Sequence, residues 1–138
     1  LVTLRTGVVL GDGGALKQML LPFKLGVGGR LGSGRQWMSW VHLDDWVTLA
    51  LFAVENLDVS GPLNATAPWP IRNADFTATL ARTLHRPAFL RVPAFALRAA
   101  LGGFSAELLD SKRVLPAVAT THGFGFQFPE LADALQRV

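Results

Sequence analysis

The residue types with the most chemical reach crowd into one stretch, GSGRQWMSWVHLDD, from Gly32 to Asp45. It holds an arginine, two tryptophans, a serine, a histidine and two acids behind a glycine turn. A chain needing only a core has no use for this mixture, so the stretch predicts one wall of a ligand site. Arg35 offers a planar guanidinium fork to a carboxylate or phosphate; the competing reading is a surface arginine stacked on Trp37. Trp37 and Trp69 are candidates to line a pocket, whereas Trp40 reads as core. His42 is a candidate substrate contact or a structural histidine. Ser39, three residues upstream on an expected strand, makes no convincing nucleophile for it, so no hydrolytic triad is expected. His42, His85 and His122 lie far apart, and His42-x-Asp44 is not a metal-ligand spacing, so no metal site is expected. No catalytic residue is assigned to this chain.

Composition narrows the classes. The chain has 138 residues, enough for a real core. It contains no cysteine, which excludes disulfides and thiolate metal sites and fits a cytoplasmic enzyme. No uninterrupted apolar run reaches membrane-spanning length. The net charge is +3, and the basic residues are scattered without a run, which argues against nucleic acid. Half the residues are hydrophobic, 17% are charged, and the mean hydropathy is +0.33. Such an apolar balance predicts surface that meets a further segment or a second subunit. Val2–Leu10 reads as a strand from the middle of a parallel sheet, covered on both faces, so the chain is expected to be a fragment of a longer protein.

The elements that must position the candidate residues follow from periodicity. A helix is predicted from Ala15 to Leu25, with Pro22 ending or kinking it, and a loop at Gly26, Gly28 and Gly29. Gln36–Val41 reads as a short strand, with Asp44 or Asp45 capping the next helix. Trp46–Asn56 is apolar nearly all round and predicts a buried helix. Leu63–Ala67 reads as a strand and Pro68-Trp69-Pro70 as a rigid turn. Asn73 is expected to cap a helix running to about His85, with Phe76, Leu80 and Leu84 as its buried stripe. Then come a strand Phe89–Val92, a helix Ala94–Leu101, a helix Ala106–Leu115 capped by Ser105, and a short helix from Pro116 to Gly123. An alternating strand over Phe124, Phe126 and Phe128 and a last helix Glu130–Val138 complete the reading. Gly11-x-Gly13 follows a strand and opens a helix, but Leu16 stands where a dinucleotide fingerprint needs its third glycine.

Four motifs in series go further. RTGVVLGDGGAL (Arg5–Leu16), GSGRQWMSWVHLDD, GPLNATAP (Gly61–Pro68) and RVLPAVATTHGFGF (Arg113–Phe126), closed by PELADAL (Pro129–Leu135), resemble the epimerase-like branch of the extended short-chain dehydrogenase/reductase superfamily. The resemblance implies an α/β fold: residues 1–86 as the late part of a Rossmann-type parallel sheet with substrate-side segments, and residues 87–138 as a small, mainly helical C-terminal substrate domain. It places the glycine-rich cofactor turn and the catalytic Tyr-x-x-x-Lys pair upstream of Leu1. The sequence agrees on the second point, because it contains no tyrosine to protonate or deprotonate a substrate oxygen.

The resemblance implies NAD(P), with NADP the expectation, as cofactor of the full-length parent, bound only weakly by this chain alone. Thr6 and Gly7 are the expected cofactor contacts, on the nicotinamide side. Arg35, Trp37, Met38, Ser39, His42 and Trp69 are the expected substrate contacts. Asp45 is read as a cap or ion-pair partner at the strand–helix corner, and Arg5 as a partner for such an acid. One departure stands out: sugar-nucleotide epimerases carry an arginine four residues before the corner histidine, and this chain has Met38. A thioether cannot hold a diphosphate, so a smaller or more apolar substrate is expected, unless Arg35 reaches across. The expected function is the substrate-binding part of an NAD(P)-dependent oxidoreductase or epimerase, inactive without the missing Rossmann segment. The alternative is a stand-alone ligand-binding or dimerising module, as a homo-oligomer.

Overall fold

A computed structural model describes residues 1–138, Ala15 by its backbone alone. The order is β1 (Val2–Thr6), β2 (Val8–Leu10), α1 (Gly14–Lys24), β3 (Gly29–Leu31), β4 (Trp37–Met38), β5 (Trp40–His42), α2 (Leu43–Glu55), β6 (Gly61–Ala65), β7 (Ile71–Arg72), α3 (Asn73–Leu84), β8 (Leu90–Val92), α4 (Ala94–Leu101), α5 (Phe104–Leu109), α6 (Ala117–Thr121) and α7 (Leu131–Gln136). The predicted α/β class holds. Parallel pairs join β1 to β6, β2 to β5 and β3 to β8, and an antiparallel pair joins β4 to β7.

The first strand run changes partner at Gly7. Gly7 N–H donates to the Ala65 carbonyl and the next amide, Val8, to the Ser39 carbonyl at 2.8 Å. A Cβ at Gly7 would stand 2.6 Å from the Ser39 oxygen, so only glycine lets β1 and β2 serve two neighbours in succession. Among the described residues β1 pairs with β6 alone, and its residues are half-buried or exposed. The expected cover on both faces is therefore not met within this chain.

The core lies in two clusters. The larger gathers Met19 and Phe23 of α1, Met38, Trp40, Phe76 and Leu80 of α3, Leu97, Leu108, and Leu131 and Leu135 of α7. The smaller packs Leu49 of α2 on Val59, Leu63, Ala65 and Ala119. Phe76 and Leu80 are buried and Leu84 packs against the cluster, as the four-residue spacing predicts.

Several expectations are corrected. The buried residues of α2 are Asp45 and Leu49, while Val47, Leu51 and Val54 face outward. One layer of packing covers one stripe of a helix, however apolar its other side. His42, not Asp44 or Asp45, caps α2: its Nδ1 accepts the Asp44 N–H at 3.1 Å. Asn73 is the first residue of α3 rather than its cap. It is fully buried; its Oδ1 accepts the Leu31 N–H at 2.7 Å and its Nδ2 donates to the Met38 sulfur at 3.4 Å. The segment expected to be a loop around Gly29 forms β3. Ser105 lies inside α5, which stops at Leu109, and the chain beyond runs as an extended strap to Pro116. Phe124, Phe126 and Phe128 form no strand. Phe124 instead meets the rings of Phe52 at 5.3 Å and Phe126 at 4.8 Å, both edge-on. Among the described residues no helix is long and apolar enough to cross a membrane.

Candidate functional site

A cleft of about 1150 Å³ opens where the C-terminal end of β1 meets β4, β6 and the strap, a little above the usual size of a small-molecule pocket. Arg5, Thr6, Gly7 and Val8 form its floor, with the Gly11–Gly14 turn at one end. Trp37, Met38 and Ser39 make one wall, and Asn64 and Thr66 lie beside them. The strap, Lys112 to Leu115, and Phe104 and Glu107 of α5 close the other side.

Hydroxyls and amides stitch the strap in place. The Ser111 hydroxyl accepts the Trp37 N–H at 3.1 Å, and the Lys112 N–H returns to the Trp37 carbonyl at 3.1 Å. The Ser39 hydroxyl donates to the Lys112 carbonyl at 2.7 Å and accepts the Val114 N–H at 2.8 Å. Further along, the Asn64 amide donates to the Leu115 carbonyl at 3.0 Å and the Thr66 hydroxyl to the Val114 carbonyl at 3.4 Å. A helix through 110–115 would forfeit these bonds, and Pro116, which has no N–H, could not continue one.

Charges of both signs face the opening: Arg5, Lys112 and Arg113 against Asp12, Glu107 and Asp110. Lys112 and Glu107 pair at 2.9 Å. The hydrogen bond from the lysine to Glu107, reinforced by the carboxylate's charge, lifts the Lys112 pKa above its ordinary value. A raised lysine pKa means that the pair's contribution is complete at neutral pH and is lost only as the pH climbs through that raised value. Both side chains are at least half exposed, so solvent screens the contribution.

The expected site residues divide. Thr6, Gly7, Trp37, Met38 and Ser39 converge on the cleft, whereas Arg35, His42 and Trp69 are not among its lining. Arg35 is exposed, and its carbonyl accepts a hydrogen bond from Arg72. The cations over Trp37 are Arg72, 4.3 Å from the ring centroid, and Arg113 at 5.2 Å. Stacking on Trp37 thus occurs, but from residues distant in sequence and not from Arg35. Trp69 is 60% exposed, and its carbonyl accepts the Trp40 indole N–H at 3.0 Å.

His42 is 3% exposed and packs 4.3 Å from the Phe128 ring. With Nδ1 accepting from Asp44, the neutral ring carries its proton on Nε2, which is buried without a partner in this chain. Asp45 does not pair with Arg5. Its two carboxylate oxygens accept the N–H groups of Gln127 and Phe128 at 2.8 and 2.9 Å. The Thr6 hydroxyl accepts the Trp46 indole N–H at 3.0 Å. The Gly7 amide is engaged as well, with the Ala65 carbonyl.

Residue-type reasoning missed Asn64, Thr66, Lys112 and Arg113 as cleft residues. Their signal was present in the GPLNATAP and RVLPAVATTHGFGF motifs and in the basic pair before Val114. What the motifs could not reveal was that the strap folds back over β4.

Residues 92–138 match a family model described as a domain of unknown function, DUF1731. The chain is 46% identical over 134 residues to the epimerase family protein YfhF of Bacillus subtilis, covering 97% of this chain and 44% of that protein. It is 47% identical over 132 residues to the epimerase family protein SERP0438 of Staphylococcus epidermidis, covering 95% and 44%. The chain therefore spans less than half the length of these curated relatives. Among solved structures, the human epimerase family protein SDR39U1 (isoform 2) with NADPH superposes with a TM-score of 0.92 at 40% identity, covering 99% of this chain and 47% of that one. A nucleoside-diphosphate sugar epimerase from Corynebacterium glutamicum superposes with a TM-score of 0.68 at 29% identity, covering 97% and 25%. The chain belongs to the epimerase family proteins of the extended short-chain dehydrogenase/reductase superfamily, and it corresponds to their C-terminal part.

Proposed function

We propose that this chain supplies the substrate-side half of the active site of an NAD(P)-dependent oxidoreductase or epimerase. The observation that carries the reading is convergence: Thr6 and Gly7, the Trp37–Ser39 wall, Asn64 and Thr66, and the strap, drawn from four separate motifs, meet in one cleft. NADP is the favoured cofactor, supported by the human relative solved with NADPH. The bound cofactor would exchange hydride with a carbonyl or hydroxyl carbon of the substrate. In this proposal Thr6 and Gly7 offer backbone surface to the nicotinamide end. Trp37, Met38, Phe104 and Leu115 shed water from the substrate and orient it. Met38 carries no charge to hold a diphosphate, so the substrate is smaller or more apolar than a nucleotide sugar.

The phosphate cradle and the proton-transferring tyrosine and lysine belong to the rest of the parent protein, in a cytoplasmic setting. That remainder, or a second subunit, covers the exposed stripe of α2 and the open edge of β1. The same apolar stripe supports a second reading, a stand-alone binding or dimerising module.

Titrating NADPH separates the cases. The full-length protein carrying this segment is expected to give a saturable change in nicotinamide fluorescence, and this chain alone none. Saturable micromolar binding to the isolated chain would overturn the division of labour.

A further inference from the structure

A second cavity lies apart from the cleft and shares no lining residue with it. It is a crevice of about 370 Å³ between α1, α3 and α4, floored by β3 and β8. No charged side chain lines it; its polar residues are Gln18, Asn73 and Thr77. Asn73 is already engaged with Leu31 and Met38. An apolar crevice open at its rim favours apolar guests that displace water from its walls.

Two sequence features hold the crevice open. Ala96 and Ala100, one turn apart on α4, present methyl groups where a larger residue would fill the space. Pro22 lies within α1 and lacks the N–H that would close a helical bond to the Gln18 carbonyl, and both residues line the crevice. The wall therefore combines an apolar surface with a few polar residues, Thr77 among them. Leu21 and Val27, both exposed, mark its rim.

We propose that this crevice is a binding site for a small neutral molecule: a flat or compact apolar body bearing one hydroxyl or amino group. Its size suits about three fused rings, at the lower end of ligand pockets. The lack of lining charge excludes nucleotides, sugar phosphates and fatty carboxylates from it. This assignment stands whether or not the cleft serves a nicotinamide enzyme.

The test uses 1-aminoanthracene, a neutral three-ring amine whose fluorescence rises in apolar surroundings, titrated into the full-length protein. One saturable site per chain is expected, insensitive to NADPH. Ala100→Phe should weaken it by at least about tenfold while leaving the circular dichroism spectrum intact. Should that variant not fold, Ala96→Val makes the same point more gently. On the unaltered protein, hydrogen exchange should slow in α1 and α4 when the probe binds. Non-saturable binding, unchanged affinity in a folded Ala100→Phe, or protection confined to the cleft would each overturn the proposal. So would loss of the probe on dimerisation, which would assign the crevice to a second copy of the chain.

Discussion

Asp45 shows how much one carboxylate can organise. It is almost completely buried at the start of α2, yet its partners are amides 82 and 83 positions away. Hydrogen bonds to an ionised acceptor are among the stronger ones, and an orphaned buried amide costs more than the lost bond. Asp45→Asn, which keeps a single acceptor and sets an NH₂ against an N–H, should therefore destabilise the chain by about 3 kcal/mol. Urea denaturation checks this; a change below about 0.5 kcal/mol would show that the two amides find water instead. The residue types at the corner were readable, but their partners were not. The sequence showed that an acid, a histidine and a cap belonged at residues 42–45. It could not show that the histidine takes the cap and frees the acid for the C-terminal segment. Arg35 lies outside the cleft lining for a related reason: its type suits an anion, but where a side chain stands relative to a cleft depends on which strands pair.

At the scale of elements, the outcome follows the reach of the signal. Helices α1, α3 and α4 were visible because periodicity and helix-ending residues are local. The strand β3 and the strap were misread because each is a few residues long and owes its shape to a distant partner. Gly29 is the sharpest case. It looked like loop punctuation, yet a Cβ there would stand 1.8 Å from the Leu90 carbonyl oxygen. The glycine is what lets β3 and β8 pair. Gly29→Ala must separate the two strands and should cost about 3 kcal/mol or more, read as a lowered thermal midpoint with amide protection lost at Leu90–Val92. Retained protection there would show that the backbone shifts at little cost. The Phe124–Phe128 alternation failed in the opposite direction, since a period of two describes a strand only where a neighbouring strand exists to pair with it.

For the whole molecule, the apolar composition finds its explanation on the surface as well as in the core. Leu43, Val47, Leu51 and Val54 recur along the outer side of α2. An apolar stripe of this kind favours association or a covering segment. Leu51→Glu combined with Val54→Lys should reduce self-association of the isolated chain in light scattering. Exposed positions of this sort change stability by no more than about 0.5 kcal/mol, so the unfolding midpoint should hold. A collapse of the midpoint would mean that the stripe supports the fold within one chain. The strap carries a different consequence. It is sewn to Trp37 and Ser39 on one side and to Asn64 and Thr66 on another, and those residues also wall the cleft. Strap and walls are thus a single fabric, so under the proposed function a substrate would meet a pre-cut shape rather than a jaw that shuts.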